Sequence, residues 1–220
     1  MNPIKAIIFD MDGVLVDSEP FHVKIEKALF KRLQLDVSDE EHATYMGKAS
    51  DVMWHEIRKK HQLDISLEEA IRLNELESEQ FFGSLKSFDP IEGLVAVLNL
   101  LRKKQIPLAV ASSSSHKTIQ ILMDKTGLRK YFQQIVSSKM AGKSKPDPAI
   151  FLLAASLLKV APENCLVIED STNGIRAAKA AGMYCMAYDG VSAGNQDQRL
   201  ADQQIKDYRE LFQMIERNFI

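Results

Sequence analysis

Two aspartates, Asp10 and Asp12, directly follow the apolar run Ile7-Ile8-Phe9. Carboxylates this close need a cation, a shared proton or a wet loop. Three further groups could answer them: Ser112 with the serines after it, Lys145, and the pair Glu169-Asp170. Taken alone, each has an ordinary explanation. An Asp-x-Asp is commonly a loop or a cap, the Ser112–Ser115 run suits a helix start, Lys145 suits a solvated surface, and Glu169-Asp170 suits another helix start. Their joint placement at or just beyond the ends of strand-like runs argues for chemistry. Open α/β sheets bind ligands in the crevice at the C-terminal ends of their strands.

Asp10, Asp12, Glu169 and Asp170 bring four negative charges, and Lys145 one positive. Adding a divalent cation leaves one negative charge in excess, which a proton on Asp12 would cancel. Carboxylate oxygens suit a hard cation, and Mg²⁺ fits best. Mg²⁺ held by a few carboxylates completes its shell with phosphate and water, so a phosphoryl substrate is expected. Asp10 would then attack phosphorus as a carboxylate nucleophile. Asp12 would protonate the leaving oxygen and later deprotonate water. Ser112 and Ser113, expected at a helix N-terminus, would donate to phosphate oxygens, and Lys145 would neutralise the transferring group.

The elements that must position these residues are legible as alternating patterns. Five β-like runs cover Ile4–Phe9, Ile106–Ala111, Gln134–Ser137, Cys165–Ile168 and Met183–Ala187. Helical spacing links Leu94, Val97, Leu98 and Leu101; Ile119, Leu122, Met123 and Thr126; and Ile150, Leu153, Ala154, Leu157 and Leu158. The last of these is expected to start with Asp147 as N-cap and Pro148 as first helical residue. A further helix spans Thr172 to Ala181 and stops at Gly182. Strands alternating with helices predict an α/β fold with a doubly wound parallel sheet.

The first two strands are too far apart for one crossover. Residues 18–84 turn helical and charged, with helices expected around Phe21–Leu29, Asp51–His61 and Leu67–Phe82. This predicts a small helical domain inserted into a core of residues 1–17 and 85–220. The linkers would lie near Val16–Glu19 and Gly83–Pro90, with Gly13 and Gly83 as places for backbone adjustment.

The chain has 220 residues, 45% of them hydrophobic and 26% charged, enough for a sizeable core. A net charge of −2 gives no electrostatic footprint for nucleic acid or an anionic membrane. Cys165 and Cys185 lie in apolar runs and are expected as small buried residues rather than a disulfide or metal pair. No signal-peptide pattern or apolar stretch of membrane-spanning length is evident, so a soluble cytoplasmic protein, monomeric and without nucleic-acid or membrane partners, is expected.

Four motifs in order carry a resemblance. They are Phe9-Asp10-Met11-Asp12-Gly13-Val14-Leu15-Val16-Asp17-Ser18, Val110-Ala111-Ser112, Lys145-Pro146-Asp147-Pro148-Ala149-Ile150-Phe151 and Val167-Ile168-Glu169-Asp170-Ser171-Thr172-Asn173-Gly174-Ile175. Together they closely resemble the haloacid dehalogenase (HAD) superfamily, in the subgroup of β-phosphoglucomutase and sugar-phosphate phosphatases. The resemblance implies a Rossmann-like core with a helical cap. It implies Asp10 as nucleophile, Asp12 as general acid/base, and Ser112 and Lys145 on the phosphoryl group. It also implies Mg²⁺ on Asp10, the Asp12 backbone carbonyl and Asp170, with Glu169 nearby. The second aspartate argues against a true dehalogenase.

Within that subgroup a mutase grips a second phosphate through an arginine shortly after a cap glycine. Here the matching stretch is Met46-Gly47-Lys48-Ala49-Ser50-Asp51, with serine at that place. Lys48 could substitute, but lysine does not reproduce a bidentate arginine contact. His22 matches a histidine associated with the mutases, or is simply a polar residue on the first cap helix. Arg72 could reach a substrate from the cap or lie exposed on its helix; Trp54 and Phe21 are expected in the cap core. The expectation is a phosphatase of small phosphorylated metabolites such as sugar phosphates, with a phosphosugar mutase as the alternative. A phospho-accepting receiver domain is a remote third reading. Receivers lack both the aspartate two residues after the nucleophile and an insertion of this size.

Overall fold

The computed structural model describes residues 3–46, 48–190 and 196–217. Strand β1 (Ala6–Phe9) is followed by four helices, α1 (Glu19–Arg32), α2 (Asp39–Ala43), α3 (Ser50–His61) and α4 (Leu67–Ser84). Then come α5 (Leu94–Lys103), β2 (Leu108–Ser112), α6 (His116–Lys125), β3 (Gln134–Ser137), α7 (Ser138–Ala141) and α8 (Ala149–Leu158). The chain continues through β4 (Cys165–Glu169), α9 (Thr172–Ala180), β5 (Tyr184–Tyr188), β6 (Gln203–Ile205) and α10 (Tyr208–Glu216).

The six strands form one parallel sheet in the order β3-β2-β1-β4-β5-β6. The doubly wound parallel fold is therefore present. Its four central strands, β2, β1, β4 and β5, are the near-continuous apolar runs that burial on both faces requires. Alternation along each strand splits the core in two. Ile7, Phe9, Leu108, Val110, Leu166 and Ile168 face one layer with Leu98, Leu101, Leu211 and Ile215. Ala6, Ile8, Ala109, Ala111, Val167, Cys165 and Cys185 face the other, under Ile150, Phe151 and Ala177. Both cysteines are free and buried there, as their sequence context implied.

Helices α1 to α4 carry a separate cluster of Leu29, Phe30, Tyr45, Met53, Trp54, Ile57 and Ala70. Trp54 is at its centre, fully buried, with the Phe30 ring edge-on at 5.7 Å. Phe21 lies elsewhere, at the foot of the insertion, among Phe81, Phe82 and Phe88.

Three local expectations are corrected. Strand β6 is short, polar and at the sheet edge; Ile205 is its one buried residue, so it carries no apolar run to read. Helix α8 begins one residue later than expected, because Asp147 Oδ1 accepts from Ala149 N and leaves Pro148 at the cap position. Gly83 lies inside α4, with no atom within 4 Å of where a Cβ would stand, and is no hinge between elements.

The far end of the chain supports the near end. Tyr208 opens α10, stacks on Tyr188 at 4.9 Å, and donates its hydroxyl to the Val14 carbonyl at 2.7 Å. No helix among the described residues is long and apolar enough to cross a membrane.

Candidate active site

Strand order reverses about β1, since β2 and β3 lie to one side and β4 to β6 to the other. That makes a crevice at the C-terminal ends of β1 and β4. Asp10 follows β1 and Glu169 ends β4, and the Asp10 amide donates to the Ile168 carbonyl at 2.9 Å. Asp12 sits in a tight loop closed by Gly13 N to Val16 O, 2.8 Å, with Gly13 at φ +76°. A side chain at Gly13 would meet the Asp170 carboxylate, whose Cγ lies 2.9 Å from the Cβ position.

Lys145 Nζ is buried at the centre of the acidic residues. It donates to Asp10 Oδ1 at 2.5 Å, Glu169 Oε1 at 2.7 Å and the Ala111 carbonyl at 3.2 Å, which uses all three of its hydrogens. Burial alone would lower the Lys145 pKa, but Asp10 and Glu169 outweigh it and hold the ammonium charged. Glu169 Oε2 is also taken, by the Ser171 amide at 2.6 Å and hydroxyl at 2.9 Å. Carboxylate oxygens of Asp10, Glu169 and Asp170 lie within 4.8 Å of one another. One lysine does not balance them. Burial pushes Asp10 up; Lys145 pulls it back, Glu169 and Asp12 push again, and the result is about 8. Asp170 is also raised, by burial first and then by Glu169 and Asp10. An all-oxygen cluster with surplus negative charge fits a hard divalent cation.

Asp12 turns its carboxylate away from that cluster. Ser18 donates to its Oδ1 at 2.5 Å and His22 Nε2 lies 3.2 Å from the same oxygen. Ser112 and Ser114 donate to Oδ2 at 3.1 and 3.0 Å. Burial would raise its pKa, but His22, Ser18 and Ser114 overcome it and bring Asp12 down to about 2. His22 is the complement: burial lowers it, while Asp12 and then Glu26 and Glu19 lift it to about 9. In this arrangement the pair is an ion pair. The two shifts run in opposite directions, so the contact favours an ionised Asp12 beside a protonated His22.

The structure thus brings Asp10, Asp12, Ser112, Lys145, Glu169, Asp170 and His22 together. Asp12 joins by its side chain to the serines and His22 rather than to the acidic cluster. Ser112 ends β2 instead of starting a helix. The N-cap of α6 is Ser115, which accepts from Thr118 N at 3.1 Å. Ser113 is exposed, and its neighbour Ser114 is the one turned to Asp12. Lys48 is held by Glu56 at 2.7 Å and lies over the Tyr45 ring. Arg72 is exposed and forks onto Glu69 one turn away, at 2.6 and 2.8 Å. Gly47 lies outside the described residues. Ser18 and Ser114 escaped the sequence reading. Ser18 stands before Glu19-Pro20 like an ordinary helix N-cap, yet it makes no side-chain cap bond and its hydroxyl goes to Asp12 instead.

A Rossmann-like sheet with an acidic cluster at its reversal point and a helical insertion after β1 defines a hydrolase class, and sequence comparison identifies it. The family model for haloacid dehalogenase-like hydrolases matches residues 7–188, so the chain belongs to that family of enzymes. It is 31% identical over 180 residues to the phosphorylated carbohydrates phosphatase of Thermotoga maritima, covering 82% of each chain. It is 28% identical over 196 residues to the β-phosphoglucomutase of Bacillus subtilis, covering 87% of this chain and 84% of the other. CbbY from Rhodobacter sphaeroides, solved in complex with xylulose 1,5-bisphosphate, superposes with a TM-score of 0.83 at 26% identity, over 94% of this chain and 96% of that one. Membership in a hydrolase family sets aside the receiver-domain reading.

Proposed function

We propose that this enzyme is a Mg²⁺-dependent phosphatase of small phosphorylated metabolites, sugar phosphates among them, working through an aspartyl phosphate on Asp10. The observation that carries the reading is the division of labour between two aspartates two residues apart. Asp10 is buried against Lys145 and the acidic cluster, whereas Asp12 is engaged by Ser18, His22, Ser112 and Ser114.

Asp10 attacks phosphorus, an acyl phosphate bond forms, and the bond from phosphorus to the leaving oxygen breaks. Asp12 delivers a proton to that oxygen, drawn from the one it shares with His22. Asp12 then takes a proton from water, water attacks the same phosphorus, and Asp10 is released with inorganic phosphate. The donors on Ser112 and Ser114, spent on Asp12 in the free enzyme, suit phosphoryl oxygens. Their transfer to substrate would free Asp12 Oδ2 for the leaving group. Asp10, Asp170 and Glu169 would hold the cation, which supplies the charge compensation a dianionic phosphoryl group needs. Residues 18–84 act in this reading as a cap that excludes bulk water.

A phosphosugar mutase is the second reading, favoured by the His22–Asp12 contact and the β-phosphoglucomutase relative. Against it stand Ser50 at the arginine position and a Lys48 already paired with Glu56. Incubation with β-glucose 1-phosphate decides between them. Phosphate release is the expected outcome, and efficient conversion to glucose 6-phosphate without it would overturn the hydrolase assignment.

A further inference from the structure

Past residue 188, where the family match ends, the chain returns to the site twice. Residues 196–198 lace onto the start of α9. The Thr172 amide donates to Gln196 Oε1 at 2.9 Å, and the Asp197 amide donates to Thr172 Oγ1 at 2.7 Å. This seats Gln198, whose Nε2 donates to the backbone carbonyls of Asp170 at 2.8 Å and Tyr188 at 3.1 Å. Gln204, on β6, donates to Gln198 Oε1 at 2.8 Å, so the amide is fixed at both ends and both of its hydrogens go to carbonyls. Further on, the fully buried Tyr208 donates to the Val14 carbonyl at 2.7 Å. Its ring stacks at 4.9 Å on Tyr188, the residue whose carbonyl Gln198 holds. The two returns are therefore one connected unit.

Asp170 is the member of the acidic cluster that needs such support. Lys145 fixes Asp10 and Glu169, and Ser171 adds two donors to Glu169. No side-chain donor among the described residues reaches the Asp170 carboxylate, which feels Glu169, Asp10 and Lys145 through charge. Like charges in a buried cluster repel. An untethered Asp170 would move away from Asp10 and Glu169 when no cation is bound, and cation binding would have to recover that loss. Two contacts oppose the movement. Gln198 holds the Asp170 backbone, and the Asp170 carboxylate packs on Gly13. Gly13 immediately precedes Val14, whose carbonyl Tyr208 holds.

We infer that Gln198 and Tyr208 are positioning residues for the cation site, holding Asp170 and the turn after Asp12 against each other. The inference rests on the Mg²⁺-dependent reading and goes further than it, because it assigns part of the metal affinity to a segment that contributes no carboxylate to the cluster.

The test titrates Mg²⁺ calorimetrically into wild type, Gln198→Leu and Tyr208→Phe, and follows kcat for p-nitrophenyl phosphate against Mg²⁺ concentration. Gln198→Leu keeps the bulk and removes both donors. Tyr208→Phe keeps the stacked ring and removes one hydroxyl. Each is expected to weaken Mg²⁺ binding roughly tenfold, the lower end of what supporting groups behind metal ligands contribute. Each should also lose less kcat at saturating than at limiting Mg²⁺. A purely structural role would lower Tm without moving the titration, as is expected of Ile135→Val on β3, at the opposite edge of the sheet from β6. Wild-type Mg²⁺ affinity in either variant, or an equal weakening in Ile135→Val, overturns the inference and leaves the metal reading intact. A wild type that binds no Mg²⁺ overturns the metal reading instead, and the inference with it.

Discussion

Replacing Gly174 by alanine should destabilise the protein even though it adds a good helix former to a helix. Gly174 lies in the first turn of α9, and its amide donates to the Ser171 cap at 3.1 Å. Helix propensity alone would favour alanine by about 1 kcal/mol. A Cβ there would stand within 2.5 Å of three atoms of the Glu169 carboxylate. That carboxylate is 1% exposed and has no free space to enter. It must abandon Lys145 at 2.7 Å and the two Ser171 donors at 2.6 and 2.9 Å, or push α9 off the sheet. Loss of one hydrogen bond to a charged group costs about 1.5–3 kcal/mol, and overpacking about 1–3 kcal/mol. The expected net loss after the propensity gain is about 3 kcal/mol, or a fall in Tm of about 6–12 °C for a chain of this size. Gly83 is the control: it is exposed, also helical, and open around its Cβ position. Gly83→Ala should raise stability by about 0.5 kcal/mol. Thermal unfolding of both variants beside wild type, without metal, is the assay. A Gly174→Ala protein as stable as wild type would refute the claim that Glu169 is fixed by the absent side chain.

Asp10→Asn should remove turnover of p-nitrophenyl phosphate while leaving the fold intact by circular dichroism; retained turnover would remove Asp10 from the nucleophile role. Chelation with EDTA should stop phosphate release and Mg²⁺ restore it, and activity that persists after exhaustive chelation would contradict the metal assignment. The His22 pKa, raised from 6.5 to about 9, means that its contribution to stability is fully present below pH 6.5 and lost as pH rises through 9. Wild type should therefore lose about 3 kcal/mol over that interval, and His22→Gln should flatten the profile; parallel profiles in urea titrations would disprove the ion pair. Ser18→Ala removes a buried donor to Asp12 and should lower stability by about 1.5–3 kcal/mol and shift the pH–rate profile for p-nitrophenyl phosphate, whereas an unmoved profile would show that Ser18 only packs.

The central strands were legible because burial on both faces leaves few polar residues, and the bounds of β1, β2 and β4 fall within about two residues of the apolar runs. The acidic site residues were legible because each closes or closely follows such a strand, whereas Lys145 lies beyond α7 and was legible through its Lys145-Pro146-Asp147-Pro148 motif. What the sequence concealed were groups whose role depends on direction rather than position. Ser113 and Ser114 are indistinguishable in a run of four serines, and only the bend after β2 decides which one faces Asp12. Ser18 looks like a helix cap until its hydroxyl is seen to turn elsewhere. Arg72 and Lys48 are spaced to reach a substrate, but each finds a carboxylate on its own or a nearby turn first. Strand β6 escaped because it buries only Ile205 of its three residues and so carries no pattern.

The Tyr208–Val14 hydrogen bond has a consequence for how the molecule is made. The loop that holds both aspartates follows a strand that pairs with β2 and β4, both later in the chain, and its Val14 carbonyl accepts from a residue 194 positions later. On a ribosome, β1 would emerge as a fully apolar strand with neither neighbour available. Helices α1 to α4, which share a cluster of their own, follow it directly and could collapse first. Order of emergence thus makes the insertion's own cluster available to pack before the sheet's partners and the Tyr208 contact exist. Contacts of such long sequence separation fold slowly, and an early apolar strand without partners is a site for misassociation. Truncation within α10 should thus be felt at the opposite end of the sequence, in the aspartate loop, before it is felt in the helices of the insertion.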